Sequence, residues 1–162
     1  MSSPALEVRH VAYTDPLVVP MLTELDHEYT TRYGHSLGDI GEEMRRRPQE
    51  FGAPDGGLIL LLAGGDPVAG GAFRRFDDRT AELKRIWTHS AHRRRGLARR
   101  VLSELEREIA ARGYRRIYLT TGPRQPEAKG LYLATGYSPL YDPGLPAEQI
   151  GKHPFEKEVS SR

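Results

Sequence analysis

Cysteine is absent from the 162-residue sequence. Disulfides, thiolate metal ligands and a cysteine nucleophile are therefore all excluded. Long apolar runs are missing as well. No stretch approaches the ~18 residues of a membrane-spanning helix, and the opening residues MSSPALEVRH lack the apolar core of a signal peptide. The expectation is a soluble, cytoplasmic chain with no membrane partner. None of the six histidines falls into a spacing such as H-E-x-x-H, so no metal is expected. A strong excess of one charge is also lacking. The net charge is +2, which argues against a general nucleic-acid binder. What remains is an ordinary globular composition, 38% hydrophobic and 28% charged, long enough for one domain over residues 1–162.

The chain is organised around residues 92–100, HRRRGLARR. Residues 81–88 (AELKRIWT) read as a strand before it. After it, Leu97, Val101, Leu102, Leu105 and Ile109 recur at helical spacing, and Gly113 stands where a helix ends. A strand thus runs through a basic, glycine-containing turn into a helix. The first turn of a helix carries unsatisfied N–H groups and the positive end of the macrodipole. Gly96 permits close backbone approach, Ala98 is nearly as small, and Arg93, Arg94, Arg95, Arg99 and Arg100 add charge. A pyrophosphate or other polyphosphate fits such a place.

Other readings compete. No Gly-Lys-[Ser/Thr] ends the loop, so it is not a Walker A motif, and it is not G-x-G-x-x-G. Residues 92–116 hold nine Arg against three Glu, which fits a nucleic-acid patch or a solvated helix end. No aromatic residue that could stack on a base interrupts the arginine run itself.

In chain order, residues 6–13 read as a first strand, Asp15-Pro16 as a helix start, and residues 17–33 as an amphipathic helix ended by Gly34. Residues 38–50 suggest a second, polar helix. Residues 58–63, 68–76 and 81–88 read as an antiparallel meander, with Gly70 and Gly71 marking a bulge or a close approach. Residues 116–121 form a strand across a helical crossover, hence parallel to 81–88. A short helix over 126–134 and strands over 136–141 and 155–159 complete an α/β domain with a mixed sheet.

Arg93-Arg94-Arg95-Gly96-Leu97-Ala98 matches [Q/R]-x-x-G-x-[G/A]. It resembles the acyl-CoA pyrophosphate loop of the GNAT superfamily of N-acetyltransferases. Glu82, eleven positions earlier, stands where many members carry a carboxylate, and residues 122–137 end in the similar signature Leu-Tyr-x-x-x-Gly-Tyr. The resemblance covers residues 68–137 and is general elsewhere. It implies a GNAT-like fold: a mostly antiparallel mixed sheet of six or seven strands, about four helices, and two splayed central parallel strands that admit the pantetheine arm. It further implies acetyl-CoA as co-substrate and a small amine as acceptor, with residues 38–50 lying over the acceptor site. Backbone groups of Ile86, Trp87 and Thr88 would meet the pantetheine, and Arg93 to Arg99 the pyrophosphate. Gln125 stands where relatives place an Asn that contacts the cofactor, which is a departure. A homodimer is a candidate assembly.

Acetyl transfer requires an amine that loses a proton and a thiolate that is stabilised as it leaves. Glu82 is the candidate base; the competing reading is a surface carboxylate paired with Arg74, Lys84 or Arg85. Tyr132 is the candidate acid; the competing reading is a core aromatic. Trp87 is likewise either a cofactor contact or core. Direct attack in a ternary complex is favoured because no cysteine can carry the acyl group. The alternative from another class is a non-catalytic acyl-CoA-binding or regulatory module on the same fold.

Overall fold

The computed structural model describes residues 5–34 and 48–159. Seven strands form one sheet in the order β1-β2-β3-β4-β5-β7-β6. They are β1 (Leu6–His10), β2 (Gly57–Ala63), β3 (Asp66–Asp77), β4 (Thr80–Thr88), β5 (Arg116–Thr121), β6 (Ser138–Pro139) and β7 (His153–Glu158). The described residues contain four α-helices: α1 (Val19–Tyr33), α2 (Leu97–Ala111), α3 (Pro126–Ala134) and α4 (Ala147–Ile150). All strand pairs are antiparallel except β4 with β5.

The unbroken apolar run of β2 is explained by cover on both faces. Ile59 and Leu61 join a core with Val101, Leu102, Leu105 and Ile109 of α2. Leu58, Leu60 and Leu62 join a second core with Met21, Leu22 and Leu25 of α1. The α2 stripe read from periodicity is the buried face of that helix, and Gly113 (φ 93°) follows its C-terminus as expected.

Two sequence expectations are corrected, and the bulge expected at Gly70-Gly71 is present. The strand over 136–141 shrinks to Ser138–Pro139, since Gly136 turns at φ 95° and Pro139 has no N–H for a ladder. The loop before β7 contains α4, which a four-residue segment behind Pro146 does not announce. The bulge near Gly70-Gly71 places its extra residue in β4. Gly70 pairs with Trp87 and Ala72 with Lys84, so Arg85 and Ile86 both face Gly71. Arg85 takes up the irregularity in the left-handed region, at φ 60°. The glycines supply clearance, because a Cβ at Gly71 would lie 2.7 Å from Ile86 Cδ1 and one at Gly70 would lie 2.8 Å from Ile59 O. Most of the helix expected over 38–50 lies outside the described residues; Pro48–Phe51 is a 3-10 turn.

Candidate active site

The parallel pairing of β4 with β5 extends only from Thr80–Arg116 to Glu82–Tyr118. Beyond it β4 runs through the bulge to Thr88, while β5 continues paired only to β7. The central strands therefore part at their C-terminal ends. A cavity of about 630 Å³ opens there, between α1, the end of β4, the start of α2 and α3.

Ile86, Trp87 and Thr88 line it from β4, Arg93, Arg94, Gly96, Leu97, Ala98 and Arg99 from the loop and α2, and Gln125 from the start of α3. Gly96 holds the N-cap position of α2 in the left-handed conformation (φ 73°, ψ 14°) and offers no side-chain acceptor to the first-turn N–H groups. Arg94 also has a positive φ, 65°. The loop thus brings Arg93, Arg94, Gly96 and Arg99 to one cavity at the uncapped N-terminus of a helix, the arrangement that suits a bound anion.

Two residues of the basic run do not join it. Arg95 turns to His92, with Nη1 3.2 Å from the ring Nδ1, and Arg100 pairs with Glu104 at 3.0 Å. Trp87 is 3% exposed in the α1-side core, as one of its two readings has it, and it also lines the cavity.

Tyr132 is 5% exposed, packed against Tyr137 at 5.5 Å and Phe155 at 5.7 Å between ring centroids. Leu131 and Ala128 of the same helix line the cavity. Burial, reinforced by the neighbouring Tyr29 phenol, pushes the Tyr132 hydroxyl well above its ordinary value, so it keeps its proton at neutral pH.

Glu82 lies apart from that cavity. It is 8% exposed, so the surface-carboxylate reading fails, but the pairing it assumed is present. Arg74 Nε donates to Glu82 Oε1 at 3.0 Å, and Arg74 Nη1 donates to Glu50 Oε2 at 2.7 Å. Lys84 Nζ stands 3.8 Å from Glu82 Oε2, while Arg85 turns away to Tyr13. Glu82 lines a second cavity, of about 690 Å³, with Arg74, Lys84, Tyr118, Thr120 and Lys152.

The profile of the acetyltransferase (GNAT) family matches residues 19–137. The chain belongs to that family. The "Uncharacterized N-acetyltransferase YsnE" of Bacillus subtilis (strain 168) is 38% identical over 76 residues, which are 45% of this chain and 50% of that protein. The chain thus spans about half the length of this curated relative. In fold it is similar to a GNAT-family acetyltransferase from Staphylococcus aureus Mu50, with a TM-score of 0.75 at 13% identity over 96% of this chain and 100% of that one. It is similar also to the PaiA N-acetyltransferase of Thermoplasma acidophilum, solved in complex with coenzyme A, with a TM-score of 0.66 at 15% identity over 96% of this chain and 99% of that one.

Several residues around the GNAT cavity were not legible as site residues, because α1 shows only its apolar stripe in sequence. The Glu24 carboxylate accepts from Trp87 Nε1 at 3.0 Å, Ser90 N at 3.0 Å and Ser90 Oγ at 2.6 Å, pinning α1 to the end of β4. Burial alone would push this carboxyl up; the Ser90 and Trp87 hydrogen bonds outweigh it and hold the group below its usual range. Arg32 pairs with Glu28 at 3.1 Å, bonds Glu127 of α3, and donates to the Arg124 carbonyl at 2.7 Å. Gln125 Oε1 accepts from Gly122 N at 3.0 Å and from the Tyr33 hydroxyl at 3.3 Å. Its carbonyl is thus engaged in fixing the start of α3 to the end of α1. The Glu28–Arg32 spacing of four was the one local signal in the sequence for this clasp.

Proposed function

We propose that the chain transfers the acetyl group of acetyl-CoA to a primary amine by direct attack in a ternary complex. The observation that carries this reading is the convergence of Ile86 to Thr88, the Arg93–Arg99 loop and Gln125 on one cavity at the N-terminus of α2. The loop amides, Arg93, Arg94 and Arg99 would hold the pyrophosphate. Arg85 and Ile86 stand opposite Gly71 without one-to-one partners, which leaves irregular backbone for the pantetheine amides. In the reaction a C–N bond forms as the thioester C–S bond breaks. The amine loses a proton, and the departing sulfur gains a hydrogen-bond donor or a proton. Tyr132, next to the cavity-lining Leu131 on α3, is the group proposed to serve the sulfur, and Glu82 is the carboxylate proposed to receive the amine's proton, directly or through water.

Acetyl-CoA should raise the melting temperature through the Arg94–Arg99 contacts. At about a hundred times its Kd a ligand stabilises by ~2.7 kcal/mol. No shift at millimolar acetyl-CoA would sink the reading. Gly96→Val should abolish the increment. It should also lower the ligand-free Tm, since a β-branched residue in the left-handed region costs roughly 1–3 kcal/mol. The decisive comparison is therefore the increment, measured in each variant against its own baseline. Release of free CoA with an amine panel then separates an enzyme from a module that binds acetyl-CoA without turnover.

Glu82→Gln tests the base. An alkyl ammonium of pKa ~10.4 is almost wholly protonated at neutral pH. Loss of a general base should depress the rate by about 10²-fold near pH 7, with the deficit shrinking as pH rises and the amine deprotonates unaided. A deficit that is the same at every pH would assign Glu82 to holding a cationic acceptor. Full activity throughout would leave the proton to water.

A further inference from the structure

The second cavity has an unbalanced charge. Arg74 is shared by Glu82 and Glu50. Arg75 turns outward to Asp78, and Asp55 lines the same cavity. Lys84 and Lys152 remain. Lys84 has 29% of its side chain exposed, and its approach to Glu82 at 3.8 Å is too long for a hydrogen bond. Among the described residues Lys152 meets no carboxylate within ion-pair distance, and it lies close enough to Lys84 to disfavour the charge there, adding to the larger effect of burial. Among the described residues that line the cavity, three carboxylates (Glu50, Asp55 and Glu82) stand against four cations (Arg74, Arg75, Lys84 and Lys152), an excess of one positive charge. Lys84 is a half-buried cation whose nearest carboxylate oxygen stands 3.8 Å away, and a bound anion beside it would further stabilise its charge.

We propose that the acceptor is an aminocarboxylate, and that Lys84 and Lys152 receive its carboxylate beside Glu82. The inference rests on the acetyl-transfer reading above and names its substrate class. The charge count supports it. The reactive form of such an acceptor, a free amine with an ionised carboxylate, carries one negative charge and balances the surplus. The reactive form of a simple amine is neutral and does not. The rest of the acceptor has an apolar wall available, since the Phe76 and Tyr118 rings pack at 4.7 Å and both line the cavity. A free amino acid carries the required carboxylate next to its amine, whereas a peptide N-terminus replaces it with an amide.

The experiment is CoA release measured on matched sets: phenylalanine, phenylalaninamide and phenethylamine, and leucine, leucinamide and 3-methylbutylamine, with rates expressed per free amine. The acid should exceed both partners in kcat/KM by roughly tenfold or more, the worth of one charge-assisted contact. Lys152→Gln and Lys84→Gln should each raise KM for the acid and cut its advantage over the amide by about tenfold. Lys152 is exposed, so its variant keeps the test available should the Lys84 variant fold poorly. Equal or better turnover of the amides and simple amines would overturn the proposal. So would silence of every acid while acetyl-CoA still raises Tm. Absence of any acetyl-CoA effect would overturn the acetyl-transfer reading instead.

Discussion

Tyr132→Phe should lower kcat by about 10²-fold while leaving acetyl-CoA affinity nearly unchanged. The magnitude follows from the environment of the hydroxyl. A phenol ordinarily loses its proton near pH ~10 and a thiol near ~8.5. Burial pushes Tyr132 higher still, and the nearby Tyr29 phenol adds to the effect. Complete transfer of its proton to a thiolate is therefore uphill. What the phenol can give is a hydrogen bond that strengthens as negative charge develops on the sulfur. A hydrogen bond to a charged group is worth ~1.5–3 kcal/mol, which corresponds to roughly 10- to 150-fold in rate. The loss should thus fall at the lower end of the range for general acids. Affinity should hold because the proposed pyrophosphate contacts are the cavity-lining Arg93, Arg94 and Arg99 rather than the hydroxyl. The measurement is steady-state kcat beside acetyl-CoA binding by calorimetry. Wild-type turnover in the Phe variant would assign Tyr132 to packing alone. A loss beyond ~10⁴-fold would imply full proton transfer and contradict the effect of burial on the group.

Residues whose role depends on neighbours in sequence were legible, and residues whose role depends on a distant element were not. β5 and α3 lie where the pattern places them, residues 116–121 and 126–134, because both are bounded by glycine or proline punctuation and carry compact periodicity. The basic loop before α2 was legible because a strand, a glycine turn and a helix start are all local features. Glu24 was not, because its three donors come from Trp87 and Ser90, more than sixty positions away. The clasp of Arg32 with Glu127 and of Tyr33 with Gln125 is hidden for the same reason. Glu82 shows the intermediate case. Its place on β4 was readable and Arg74 was one of three partners open to it, while the antiparallel register that sets Arg74 opposite Glu82 makes the choice among them. The β4 bulge was half legible: two glycines marked it, while the residue that takes the left-handed conformation is Arg85 on the facing strand.

Phe155→Ala should have the largest effect on stability, and its consequences reach the site. Phe155 is fully buried on β7, paired with Leu119 of β5 on one side and Pro139 of β6 on the other. Its ring packs 5.7 Å from Tyr132 and 5.4 Å from Tyr141. Truncation removes the transfer free energy of the ring and leaves a cavity the sheet cannot close, because strand spacing is fixed by the ladders on both sides. Such a substitution costs ~3–5 kcal/mol, a fall in Tm of roughly 6–20 °C for a chain of this size. In urea the midpoint should drop with an unchanged slope, since the surface exposed on unfolding hardly differs. A loss under about 1 kcal/mol would show that the layer collapses to refill the space. Tyr132 loses one of its two aromatic neighbours in the same substitution. The folded variant should therefore also lose kcat toward the level of Tyr132→Phe, while its acetyl-CoA increment in Tm, which rests on the contacts proposed for the Arg93–Arg99 loop, should persist. A variant that keeps full turnover despite the lost stability would separate the packing of Tyr132 from its action on the substrate.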